Sequence, residues 1–131
     1  MLHITLNSFS YQKGIPAAEH EHGQGFVFDC RGIENPGLLP NLAIQTGQDK
    51  EVQDFLAEKT EMPAFLNGVE KLVFITVDKF LDRGFTNLNI NFGCTGGRHR
   101  SVYACEKISE RISNKYGGLV SVKKLHTNLL N

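Results

Sequence analysis

At 131 residues, with 40% apolar and 21% charged side chains, the chain is large enough to bury one core and too apolar for a disordered tail. Lysine plus arginine equals aspartate plus glutamate, at 14 each, so no global field attracts nucleic acid and any anion site must be local. Apolar runs such as 72–77 fall far short of the roughly 20 residues of a membrane span, and no basic region followed by an apolar block opens the chain.

These features predict a single cytoplasmic domain over residues 1–131 with no membrane partner. Leu2, Ile4 and Leu6 alternate with His3, Thr5 and Asn7, the period of a half-buried strand, which should run to Phe9. Residues 10–24 carry two glycines and a proline and read as a loop. Within it, His20-Glu21-His22 lacks a third ligand at recognisable spacing, so no metal site is assigned. Phe26-Val27-Phe28 reads as a short buried strand ending in Asp29-Cys30-Arg31. Over 32–47, Asn35-Pro36-Gly37, Pro40 and Thr46-Gly47 punctuate the chain densely enough to exclude a regular element, and a loop of this length in a compact domain is often functional.

A helix is predicted from Asp49, with Val52, Phe55 and Leu56 on one face. A second starts near Pro63 and buries Phe65, Val69, Leu72, Val73, Thr76, Val77 and Phe80 before Arg83-Gly84 ends it. Leu88-Asn89-Ile90-Asn91-Phe92 alternates as a third strand. Val102, Cys105, Ile108, Ile112 and Tyr116 then mark a helix stopped by Gly117-Gly118. Leu119, Val120 and Val122 suggest a last short strand leading to Lys123-Lys124-Leu125-His126. Strands alternating with helices predict a layered α/β domain with a largely parallel sheet flanked by helices.

Between the third strand and its helix lies Gly93-Cys94-Thr95-Gly96-Gly97-Arg98-His99-Arg100-Ser101. A turn at the carboxyl end of a parallel strand is where open α/β sheets bind ligands. Its glycines let backbone approach an oxyanion, the first helical turn presents free N–H groups, and Arg98 and Arg100 can add charge-assisted bonds. Anion binding is the leading reading, and a merely tight, solvated turn is the alternative. The Walker A spacing is absent. The Cys94-x5-Arg100-Ser101 spacing also resembles the phosphate loop of cysteine-dependent phosphatases, with Cys94 as nucleophile, Arg100 holding the phosphoryl group and Asp29 or Asp49 as acid. Against this, Cys94 reads more simply as a small residue lining a pocket. Cys30 and Cys105 read as buried small residues, and three cysteines without framework spacing suit reduced thiols. Asp29 and Arg31 fit equally an ion pair closing the strand or groups aimed at a ligand.

Residues 93–102 resemble the "GCTGG(K/R)HRSV" motif of the C-terminal domain of the RapZ/YvcJ family of bacterial RNase adapter proteins. Ser8-Phe9 with Gly14-Ile15-Pro16 is similar to that family's "SFGFKYGIP", Val27-Phe28-Asp29-Cys30-Arg31 to its "VFDVR", and Thr46-Gly47, Asp49-Lys50 and Val52 to its "TGxDKxV". The resemblance implies a binding domain for a small anionic metabolite, a phosphosugar such as glucosamine 6-phosphate, with an RNA or an RNase as further partner and no cofactor. It implies a site of Asp29, Arg31, Cys94, Thr95, Gly96, Gly97, Arg98, His99, Arg100, Ser101 and His126. The family's N-terminal P-loop domain is not present in this stretch, so nucleotide hydrolysis is not implied. The departures fall where RNA binding would be argued: Gln12-Lys13, Gly37 after Asn35-Pro36, Ala43 in place of an arginine, and no basic tail beyond His126. RNA affinity rests on phosphate neutralisation, so the small ligand is the stronger expectation. A homo-oligomer is compatible with the sequence.

Overall fold

The computed structural model of the chain describes residues 1–17 and 25–129. Among them, strands β1 (Leu2–Ser10), β2 (Phe26–Asp29), β3 (Asn87–Cys94) and β4 (Val120–His126) form one sheet in the order β2-β3-β1-β4, with every pair parallel. Helices α1 (Pro40–Ala43), α2 (Lys50–Lys59) and α3 (Met62–Asp82) lie between β2 and β3, and α4 (Arg100–Tyr116) between β3 and β4. The layered α/β class read from the sequence is the one observed.

From β2 to β3 and from β3 to β4 the chain steps the same way across the sheet. Right-handed crossovers therefore put α3 and α4 on the same face. The pleat agrees. Leu2, Ile4 and Leu6 of β1, Leu88, Ile90 and Phe92 of β3, and Val120 of β4 share one core with Val69, Val73 and Val77 of α3 and Cys105, Ile108 and Ile112 of α4. The buried residues of α3 fall at three- and four-residue steps, from Met62 through Leu66 and Val69 to Val73 and Val77. Each fully buried aliphatic contributes about 1.5–3 kcal/mol, and a capping bond about 1. The absence of a side-chain cap at Glu61 is thus a small loss beside the apolar face.

Several boundaries differ from the sequence reading. Strand β2 lies at the sheet edge and alternates between half-buried and exposed, so its apolar run is not a buried strand. The 32–47 loop does hold regular structure, a 3-10 turn at Pro36–Leu38 and then α1, because each proline sits in a first helical turn where its missing N–H costs nothing. Leu72 is 53% exposed: it lies on the outer side of α3, one step away from Val69 and Val73. Strand β1 runs one residue further, to Ser10. β3 extends to Cys94, and β4 takes in 123–126, whereas Leu119 sits in a preceding 3-10 turn and is exposed. His20-Glu21-His22 lies outside the described residues. No helix of the described residues is long and apolar enough to cross a membrane.

Ile90, fully buried in β3, and Ile75, 68% exposed on α3, separate the core from the surface. Ile90→Ala should lower unfolding stability by about 2–5 kcal/mol, and Ile75→Ala by no more than about 0.5, in urea titrations followed by circular dichroism.

Candidate functional site

Because the strands are all parallel, their carboxyl ends share one edge, and most of the expected site residues gather along it. Asp29 and Arg31 come from the end of β2, residues 94–101 from β3 and the start of α4, and His126 from the end of β4.

Glycine makes the turn possible at specific points. A Cβ on Gly93 would stand 2.5 Å from ring atoms of both Phe9 and Tyr11, so the end of β3 passes under those rings only without a side chain. Gly97 adopts φ +68°, where a side chain is strained, and a Cβ there would lie 2.9 Å from Ser10 N. Around them the turn is pinned to β1 and β4. Tyr11 N–H donates to the Cys94 carbonyl at 3.0 Å, Ser10 Oγ–H to Thr95 O at 2.5 Å, and Ser10 N–H to Asn128 Oδ1 at 2.9 Å. Gly96 faces open space, with nothing within 4 Å of an added Cβ.

The three consecutive basic residues that follow all reach the long loop. Arg100, 4% exposed, donates from Nη1 to the carbonyls of Arg31 at 3.0 Å and Ile33 at 2.7 Å. His99 Nε2 lies 3.2 Å from the Leu42 carbonyl, which can only accept, so that nitrogen carries the proton. Arg98 Nη2 donates to the Ile44 carbonyl at 3.3 Å while the residue stays exposed. Gly47 completes the seam. Its N–H donates to Arg98 O at 2.8 Å, and a Cβ on it would meet His99 O and Tyr103 N.

This alters the expected division of labour. Arg100 is a positioning residue that satisfies loop carbonyls rather than an open anion clamp, and its buried Nε has no partner among the described residues. Burial holds the His99 imidazole below its ordinary value, outweighing the backbone carbonyls that favour its charged form, so His99 is neutral near pH 7. Arg98 is the basic member of the three that faces solvent.

Asp29 and Arg31 do form the ion pair closing the strand. Arg31 Nε and Nη2 grip both carboxylate oxygens at 2.8–3.1 Å, and the guanidinium lies 3.9 Å above the Tyr11 ring. Those bonds hold the Asp29 carboxyl below its ordinary value. Both residues are about half exposed, so the pair borders the turn from the β2 side. Cys94 is 2% exposed, its Sγ 3.1 Å from Ser101 Oγ on the helix-facing side. Of the parts of a phosphatase loop, the Cys94 thiol is enclosed, Arg100 is engaged by loop carbonyls, Asp29 is held by Arg31, and Asp49 Oδ2 accepts from Thr46 N–H at 2.7 Å. His126 is largely enclosed, between Ser8 Oγ at 2.7 Å and Glu106 Oε2 at 2.8 Å, and Glu106 also takes a bond from Lys124 Nζ at 3.0 Å. Burial raises the Glu106 carboxyl, and these donors together outweigh it and hold the group below its ordinary value.

Reasoning from the sequence missed Glu106, Ser10 and Asn128. Their partners lie on or just past other strands, 18 to 118 positions away in sequence, and no local spacing announces them. The glycine requirement at Gly47 was equally hidden.

Fold and edge define a parallel α/β domain with a glycine-rich, arginine-bearing strand-to-helix turn. The chain belongs to the RapZ C-terminal domain family, whose model matches residues 2–129. It is 35% identical over 93% of its length to a nucleotide-binding protein of Ruegeria sp. (strain TM1040), covering 39% of that protein. It is 36% identical over 95% of its length to one from Methylococcus capsulatus, covering 41%, and 38% identical over 82% to one from Thermodesulfovibrio yellowstonii, covering 36%. The chain thus spans about two-fifths of the length of these relatives.

Two measurements check this geometry. Arg100→Met leaves the Arg31 and Ile33 carbonyls unpaired and should cost about 1–3 kcal/mol for each, with faster hydrogen exchange in residues 30–34. His99, whose folded value is depressed, makes a contribution that is fully present above its ordinary value of 6.5 and is lost as pH falls below it, because the unfolded imidazole takes up the proton first. His99→Gln should therefore flatten the fall in stability between about pH 6.5 and 5.

Proposed function

We propose that the chain is a binding domain that recognises a small phosphorylated metabolite, a phosphosugar such as glucosamine 6-phosphate, at the turn over residues 93–101. The observation that carries this reading is the open stretch at Gly96 and exposed Arg98, set at the amino end of the 17-residue helix α4 and bordered by the Asp29–Arg31 pair. Backbone N–H groups of a first helical turn and an exposed guanidinium are the donors an oxyanion needs. Thr95 lies beside them on the open side. Cys94, His99, Arg100, Ser101 and His126 support this surface from within.

Membership of the family supports the assignment of a ligand-sensing module, and an RNA or RNase partner would be the recipient of that signal. A chain with zero formal net charge favours the small ligand as the primary contact. The longer relatives are named for nucleotide binding, and because this chain matches only about two-fifths of their length, that activity is not carried over to the turn. Covalent phosphoryl transfer draws no support from an enclosed Cys94.

Calorimetry with glucosamine 6-phosphate, other phosphosugars and inorganic phosphate tests the proposal. Arg98→Ala should weaken binding about tenfold or more. Gly96→Val, whose side chain meets no protein atom within 4 Å at its Cβ, should abolish binding while leaving the fold intact by circular dichroism. Absence of binding by the wild-type chain across the whole panel would sink the reading.

A further inference from the structure

The sheet face turned away from α3 and α4 borders the turn only at its carboxyl end, through the Phe9 and Tyr11 rings over Gly93. Register sets its side chains in cross-strand rows: Asn87, His3 and Ser121, then Asn89, Thr5 and Lys123, then Asn91, Asn7 and Leu125. A cavity of about 310 Å³ opens there, lined by Thr5, Asn7, Asn87, Asn89, Lys123 and Leu125 among others.

Parallel strands are ordinarily covered on both faces and read as continuous apolar runs. Here alternate positions of β3 are asparagines, a residue depleted in strands, so sheet stability alone does not account for them. Most of these polar groups have partners: His3 Nδ1 and Ser121 Oγ lie 2.6 Å apart, and Asn87 Nδ2 donates to Thr86 Oγ1 at 3.1 Å. Asn7 Nδ2 donates to Asn91 Oδ1 at 3.0 Å, and Asn91 Nδ2 donates to the Phe26 carbonyl at 3.0 Å. Asn89 differs: only 7% exposed, it faces the cavity and its carboxamide has no partner among the described residues. Across Thr5 in the same row, Lys123 likewise has no carboxylate partner among them, and no named group of the lining carries negative charge.

We propose that this cavity binds a small polyhydroxylated carboxylate, its carboxylate on Lys123 Nζ and its hydroxyls on the Asn89 carboxamide, Asn87 Oδ1 and Thr5 Oγ1. The volume is at the lower end for small-ligand sites. A single ammonium, with no helix terminus or guanidinium in the lining, matches one carboxylate rather than a phosphate group, which ordinarily gathers several charge-assisted donors. The carboxamides and the hydroxyl supply both donors and acceptors for a hydroxylated body.

The test is a titration of the ¹⁵N-labelled chain with D-gluconate, with sorbitol as the uncharged analogue and inorganic phosphate as the anion without the polyol. Gluconate should shift amides at residues 5, 7, 89 and 123 and leave 95–101 unmoved, and sorbitol should bind about tenfold or more weakly. Lys123→Gln, at an exposed position where folding is not at stake, should weaken gluconate to the level of sorbitol, and Asn89→Leu should remove the response. No shift at residues 89 and 123 up to roughly tens of millimolar, in the weak-binding range, overturns the proposal, as does equal binding by Lys123→Gln. So does concentration-dependent self-association that covers this face and is relieved by Asn89→Leu. Gluconate shifts confined to 95–101 overturn it as well, while leaving a ligand site at the turn standing.

Discussion

The arrangement depends most on the attachment of the long loop to the start of α4. Arg98, His99 and Arg100 each engage a backbone carbonyl of residues 31–44, and Gly47 lies against the same first turn. Loop carbonyls have no ladder partners, and leaving them dry and unpaired costs about 1–3 kcal/mol each. Three adjacent cationic or ring donors satisfy them from one place. A motif that looks, by composition, like a cluster of ligand-binding cations is therefore mostly scaffold. Arg98 alone keeps its guanidinium toward solvent, and the half-exposed Arg31 is held by Asp29.

How much of this was legible in the sequence follows from the range of the forces involved. The alternation of Leu2, Ile4 and Leu6 and the three- and four-residue steps from Val102 to Tyr116 are local signals, and they gave strands and helices close to those observed. The turn between β3 and α4 was likewise visible, because glycines at a strand end followed by a helical period are contiguous. What could not be read was the direction of each side chain within that turn. The enclosure of Cys94 against Ser101, the burial of Arg100 under residues 31–33, and the bridge from Ser8 through His126 to Glu106 all depend on which strands lie side by side. That order, β2-β3-β1-β4, is not written in any window of sequence. The 32–47 segment misled for a different reason: its prolines were read as breakers, whereas at first-turn positions they start short helices.

The one-sided packing of helices divides the sheet chemically. The helix-facing pleat carries the apolar core and, at its carboxyl end, Cys94, Ser8 and His126. The opposite pleat carries Asn87, Asn89, Asn91, Thr5 and Lys123, and near the turn the Phe9 and Tyr11 rings over Gly93. A single strand, β3, therefore supplies core packing from one side and polar lining from the other, and its alternation of asparagine with leucine, isoleucine and phenylalanine states both roles at once.

Strand β1 sits in the interior of the sheet and pairs on one side with β3 and on the other with β4, so that His3 meets Ser121, 118 positions away. Loop-closure entropy opposes both pairings before any ladder bond offsets it. The nucleus that orders this domain must therefore bring distant segments together, which places it among the slower topologies, with one edge of β1 unpaired until β4 arrives. Of the four strands, β1 is synthesised before the others, and its second ladder closes only once β4, the last of them, has been made.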